Sequence, residues 1–264
     1  MAASFVKRGA AMNCKDEVEQ IIQSEAESPV YQPIFSLQEG NILGFYGEVK
    51  FPGRNWMDQI AFLELAQEWN WGEEAQVLCH KAILRGAAGR IETKKLFLWS
   101  QQWSAWSNRE RGKTTQSVTR FLLQEAQIIW QVSLQTAEQI CHHPLDWNCL
   151  CIILRDTEDL AQFQEHSAQW DVRWIGLESH CLKESLRDPS KQHTMAQFCK
   201  TMKEKGVSVL AGDLKSESYL EEAIRMNIDF GYGNCLEKAN GRPALSAETG
   251  TFLKQFRKKV LQVI

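Results

Sequence analysis

Two hydrophobic patterns alternate along the chain from residue 28 onward. Short apolar runs bounded by polar turns occupy Leu96–Ser100, Ile128–Ser133, Leu150–Leu154, Val172–Leu177 and Val207–Ala211. Strands buried on both faces, as in a parallel sheet, read this way because neither face needs polar side chains. Ile42–Phe51 reads as a further strand. Between the runs, apolar residues recur at helical spacing: Ile60, Leu63, Leu65 and Trp69 in Met57–Trp71, and Val77, Leu78, Ala82 and Ile83 in Glu73–Ala88. Asp159–Trp170, Gln192–Lys205 and Ser218–Met226 are amphipathic in the same sense. Repeated strand–helix units predict an α/β architecture around a parallel sheet.

Both ends depart from this alternation. Cys14–Glu27, with Val18, Ile21 and Ile22, predicts a short amphipathic lead-in helix, and Leu245–Ile264 predicts a basic helix with Phe252, Phe256 and Val260 on one face. Each is expected to cover a barrel end or to form a partner surface. The chain thus divides into residues 1–27, an α/β body over 28–245, and a terminal helix over 246–264.

Size and charge narrow the function. With 264 residues and 44% hydrophobic content the chain can bury one large core, and a (β/α)8 barrel usually takes about 250 residues. A net charge of -3 provides no basic field for DNA or RNA, so no direct nucleic-acid partner is expected. No apolar run approaches the ~20 residues of a membrane span. The opening MAASFVKRGAAM is too weakly apolar for a secretory leader, so a cytoplasmic location is expected. The eight cysteines fall mostly in apolar or helical segments and are expected to be reduced.

Three local signals carry little chemistry. Gly112-Lys113-Thr114 resembles the end of a phosphate-binding loop, but Ser107 replaces the glycine that loop requires. Cys141-His142-His143 and the nearby Cys149 and Cys151 are zinc-type residues, yet their placement on a helix end and a buried strand favours ordinary packing. Trp99, Trp103 and Trp106 fall on one helical stripe in a chain with ten tryptophans. Such a stripe is either core or an aromatic anchor for a protein partner.

The stretch Val30–Phe51, VYQPIFSLQEGNILGFYGEVKF, resembles the opening of a bacterial EAL domain, with its YQPI start and its strand–turn–strand hairpin. The resemblance implies a modified TIM (β/α)8 barrel of EAL type whose first strand is antiparallel. Active members hold two divalent cations with carboxylates and an Asn, and hydrolyse cyclic di-GMP. Following the family motifs in order, the Glu of the name triplet falls on Tyr46, the Asn of VNLS on Leu98, and the first Glu of EITE on Gln131. The paired Asp of DDFG becomes Arg155-Asp156, and the Lys and Asp of LKID become Trp174 and Gly176. The two Glu of AEGVE become Gly212 and Lys215, and the Gln of QGY becomes Tyr232. Asp156 alone keeps a carboxylate, and it reads as an ion-pair or cap residue.

The resemblance therefore implies an inactive relative with no metal and no cofactor. Its function is expected to be regulatory, through a protein partner in bacterial signalling or gene regulation, with a homodimer left open. The alternative is a cyclic di-GMP receptor that binds without cutting, using Gln32 and Pro33 of the YQPI segment and Lys50, which stands where the family places a phosphate-contacting Arg.

Overall fold

The computed structural model describes residues 8–25, 27–54, 56–91, 94–101, 127–141, 147–166, 170–243 and 247–262. Trp103, Trp106, Gly112-Lys113-Thr114 and His142-His143 lie outside them.

Eight strands close into a single barrel in sequence order. They are β1 (Ser28–Ser36), β2 (Ile42–Lys50), β3 (Lys95–Trp99), β4 (Gln127–Ser133), β5 (Leu150–Leu154), β6 (Trp174–Leu177), β7 (Ser208–Ala211) and β8 (Phe230–Gly231). β1 runs antiparallel to both neighbours, pairing along its length with β2 and closing on β8 through Phe35↔Gly231 and Ser36↔Phe230. Every other neighbouring pair is parallel. The expected barrel with one antiparallel strand is what the chain forms.

The helices around it are α1 (Arg8–Ser24), α2 (Gln59–Glu68), α3 (Gly72–Ala87), α4 (Leu134–Ile140), α5 (Thr157–His166), α6 (Ser179–Ser185), α7 (Pro189–Glu204), α8 (Glu217–Arg225) and α9 (Ala247–Gln262). Asp58 starts α2 by accepting a hydrogen bond from the Ala61 amide (2.8 Å), and Asp188 caps α7 with Pro189 at its first position. The lead-in helix reaches back to Arg8, further than its apolar residues marked. Its Val18 and Ile21 are buried with α2 and α3 against β1–β3. α9 buries Leu253 and Val260 in the other outer cluster, beside α8.

Strand side chains alternate between the outer face and the barrel interior. Inward residues form a separate core of Ile34, Phe97, Ile129, Cys151, Ile153, Trp174 and Leu210. Phe97 meets Trp174 edge-on at 5.6 Å, and Phe230 lies 5.7 Å from the same indole. Large aromatics thus fill the barrel, which is a packed core rather than a channel.

One buried polar clamp fixes the end of β3. Gln76 and His80 sit one turn apart on the inner side of α3 and are both fully buried. Gln76 donates to Ser100 Oγ (3.2 Å) and accepts from the Gln101 amide (2.9 Å), while His80 Nε2 lies 2.9 Å from the Trp99 carbonyl. Since a carbonyl only accepts, His80 Nε2 carries the proton. Burial lowers the His80 pKa to about 4, so the imidazole is neutral in the folded chain and charges readily in the unfolded one. Stability from this group is complete above pH 6.5 and declines as pH falls towards 4. The full loss is roughly 3 kcal/mol, at about 1.4 kcal/mol per pH unit. Thermal melting of the parent chain should therefore fall more steeply between pH 6.5 and 4 than that of His80→Gln, whose amide also donates. Parallel curves for the two proteins would refute the assignment.

Candidate functional site

At the carboxyl ends of the parallel strands the barrel opens into a cavity of about 570 Å³. Strand ends are where side chains from many strands converge in this architecture. Tyr46 of β2 and Tyr232, just past β8, stack across the opening with ring centroids 4.8 Å apart and planes 22° from parallel. The stack depends on glycine. A Cβ on Gly212 would lie 2.9 Å from the Tyr232 hydroxyl oxygen, and one on Gly176 would lie 2.4 Å from Ile153 Cδ1. A longer side chain at either strand end would displace its neighbour.

The expected site residues separate into three groups. Tyr46, Gln131, Gly176, Gly212, Tyr232, Gln32 and Lys50 all line the cavity. Gln32 bridges β1 to the segment after β8, donating to Asn234 Oδ1 (3.3 Å) and the Glu237 carbonyl (2.9 Å). Arg155, Asp156 and Lys215 lie away from it. Asp156 caps α5, accepting from the Glu158 and Asp159 amides at 3.0 and 2.9 Å. Arg155 is exposed and pairs with Asp159, and Lys215 pairs with Asp213 at 2.9 Å. Pro33 is buried within β1 opposite Phe45 and does not reach the cavity.

Two positions are corrected by strand geometry. Leu98 packs on the outer face, where a Cβ on Gly47 would touch both it and Ile83. The inward residue at that strand end is Trp99, one position on, which lines the cavity. Trp174 lies deeper, in the interior core. The i, i+2 pair expected at Trp174 and Gly176 reaches the cavity at Gly176 and Glu178 instead. String matching fixes such positions only to a residue or two, whereas alternation across the sheet fixes the face.

This register exposes residues the sequence reading passed over. Glu48 shares the inward face of β2 with Tyr46, and Asp58, Glu178 and Asp213 join it around the cavity, against Lys50 and Lys238. All four carboxylates raise the Tyr46 phenol pKa, after burial, which is the largest cause. Glu48 is paired to Lys50 at 2.8 Å. Asp213 adopts a left-handed backbone (φ 54°) and accepts from Ser179 Oγ at 3.1 Å as well as from Lys215. Asp tolerates that region better than most residues. Glu178 makes no side-chain bond at the start of α6, and burial raises its pKa against the opposing pull of Arg155. Alternation from Tyr46 and from Gly176 would have located Glu48 and Glu178.

Paired divalent cations do not fit this set. Hard cations require several oxygen ligands each, but the inward positions of Tyr46, Tyr232, Trp99, Gln131, Gly176 and Gly212 offer no carboxylate, and of the two inward carboxylates, Glu48 and Glu178, the first is paired with Lys50. Among the described residues, no three His, Cys, Asp or Glu side chains come together as a metal site. No helix among them is long and apolar enough to cross a membrane.

No family model and no curated protein matches the sequence. Solved structures do match the fold. The Bacillus subtilis YkuI protein, with an EAL domain and in complex with substrate c-di-GMP and calcium, superposes with a TM-score of 0.70 at 13% identity, covering 93% of this chain and 64% of that one. The Xanthomonas citri FimX EAL domain in complex with c-diGMP gives 0.69 at 10% identity, covering 90% and 97%. The Pseudomonas aeruginosa FimX EAL domain bound to c-di-GMP gives 0.66 at 14% identity, covering 89% and 99%. The chain spans just under two thirds of the first of these and nearly all of the other two. It has the EAL-domain fold.

Burial holds both phenols of the stack above the ordinary tyrosine value of 10. In a spectrophotometric titration, the signals lost in Tyr46→Phe and in Tyr232→Phe should therefore be absent at pH 10 and emerge only at higher pH or on unfolding. Half-ionisation of either phenol at pH 10 would show that the rings do not shield each other.

Proposed function

We propose that this chain is a non-catalytic regulator with the EAL-domain fold, acting in the bacterial cytoplasm by binding a protein partner. The observation that carries this reading is the Tyr46–Tyr232 stack, made possible by Gly212, at the place where a metal-dependent phosphodiesterase needs anionic ligands. A hydroxide nucleophile made from metal-bound water requires a cation with an open position. The remaining carboxylates are spread around the rim, and two of them are already neutralised by lysines.

The rim itself supports a protein contact. Trp56 is 55% exposed and Ile60 is 44% exposed, and Ile60 borders the cavity. Exposed aromatic and aliphatic side chains beside a concave site are the usual anchors of protein interfaces. Trp99 belongs to this mouth through its inward position on β3, so the part of the tryptophan stripe within the described residues faces the cavity.

The second reading is a cyclic di-GMP receptor. It is favoured by the bound nucleotide in the structural neighbours and by Gln32 and Lys50 at the cavity wall. Charge weighs against it. The ligand brings two phosphates, Lys50 is already held by Glu48, and four carboxylates face two ammonium groups. Like charges near 4 Å repel by about 4 kcal/mol at an effective dielectric of ~20.

Incubation with cyclic di-GMP and Mg²⁺ or Mn²⁺ should yield no linear dinucleotide, and calorimetry should give no binding tighter than about 1 mM, which corresponds to ~4 kcal/mol. Affinity capture from the native cell should return a stoichiometric protein partner. Metal-dependent turnover that disappears in Glu178→Gln would overturn the non-catalytic reading. Micromolar nucleotide binding lost in Lys50→Ala would replace it with the receptor reading.

A further inference from the structure

The mouth of the barrel carries unmet hydrogen-bonding capacity of both kinds. On the acceptor side, the Glu178 carboxylate lies in a partly buried position without a hydrogen bond or ion pair to a described residue. On the donor side, Gln59 is 3% exposed and Gln131 is 2% exposed, and the Nε2 of each is buried with no partner among the described residues. Trp99 Nε1 is likewise buried and unpartnered. All four residues line the same cavity. Gln59 cannot turn its amide to escape this, since its Oε1 accepts from the Val49 amide at 2.9 Å. Buried polar groups without partners cost stability, and native structures hold few of them.

The cavity also combines aromatic faces with negative charge. The Tyr46–Tyr232 stack and Trp99 supply π surfaces, and Glu48, Asp58, Glu178 and Asp213 outnumber Lys50 and Lys238. Ile60, Trp99 and Glu178 also line a neighbouring cavity of about 740 Å³, where Glu64 and Glu73 again outnumber Arg155. The acidic, aromatic surface therefore continues from the mouth along α2.

We propose that this surface receives an extended, arginine-bearing segment of a partner protein, with the guanidinium in the barrel mouth against Glu178 and the aromatic faces. A peptide meets both unmet needs at once. Its guanidinium donates to the carboxylate in a planar fork and lies on aromatic rings, which an ammonium does less well. Its backbone carbonyls accept from Trp99 and Gln59. A cyclic dinucleotide would bring phosphates towards the carboxylates, and a bare metal ion would leave the indole and amide donors unmet. This inference rests on the non-catalytic reading and names the chemistry of its partner.

The test titrates the full chain with the blocked tripeptide acetyl-Gly-Arg-Gly-amide, using calorimetry and Trp fluorescence. Its citrulline counterpart, which has the same shape without the charge, serves as control. The arginine peptide should bind saturably with one site per chain, and citrulline should bind about tenfold more weakly, as loss of a charge-assisted contact implies. Glu178→Gln, nearly identical in shape, should weaken the arginine peptide by a similar factor while its melting curve remains cooperative. Asp213→Asn provides a second variant should Glu178→Gln fail to fold. Equal binding of the two peptides, indifference to both substitutions, or the absence of saturation would overturn the proposal. So would manganese binding in the mouth that displaces the peptide. Turnover of cyclic di-GMP would sink the non-catalytic reading whatever the peptide does. A captured protein partner that binds Glu178→Gln as well as the parent would sink only the arginine socket.

Discussion

A closed eight-strand barrel gives each strand one inward position at its mouth, and the space shared by those positions is fixed by the strand count. Everything at this site follows from that limit. Tyr46 and Tyr232 stack across the opening, and they do so because Gly212 contributes no Cβ on the side where Tyr232 lies. Trp99 and Gln131 take two further inward positions. The strand-end positions are therefore coupled by volume: a phenol at one requires a glycine at another. An acidic side chain at 212 would have to displace the Tyr232 ring, and with it the stack on Tyr46.

The same alternation decided what the sequence could reveal. Apolar runs located β3 to β7 within a residue or two, since a doubly buried strand needs an unbroken apolar string and Leu150–Leu154 is one. β8 escaped notice because only Phe230 and Gly231 pair, too short a run to show a pattern. α4 and α6, seven residues each, are under two full turns and show no helical period. α7 begins at Pro189, ahead of the apolar stripe, where Asp188-Pro189 is the start signal.

Site positions were legible where a motif sat beside a turn and less so in mid-chain. Tyr46, Gly212 and Tyr232 are anchored by the hairpin and by the β7–β8 approach, and all three face the cavity. Leu98 and Trp174 are placed by strings with no nearby turn: the inward residue at the end of β3 is Trp99, and on β6 Trp174 is inward but deeper, the pair at the mouth being Gly176 and Glu178. The consequence is chemical. Counting carboxylates along the strings left one, at Asp156, which belongs to a helix cap. Reading them by face adds Glu48 and Glu178, and Asp58 and Asp213 from the segments flanking the strands bring the carboxylates around the mouth to four. The site is poor in metal ligands at its centre and acidic at its rim, a distinction that composition alone does not express.

That distinction bears on why the rim is acidic at all. Glu178 loses hydration without gaining a hydrogen bond, and its raised pKa records the cost. Gln59, Gln131 and Trp99 each leave a buried donor unmet in the same cavity. At the end of β3, by contrast, Gln76 places both its amide nitrogen and its oxygen in hydrogen bonds, and His80 binds the Trp99 carbonyl through Nε2. Three of the buried atoms without a partner are thus gathered around one cavity, the barrel mouth. Local violations of this kind are expected at functional sites, where the stability lost in the free protein is recovered on binding. The mouth is thus poor in metal ligands at its centre yet polar around its rim, and its unpaired donors and acceptor are the groups that the proposed arginine-bearing segment would meet.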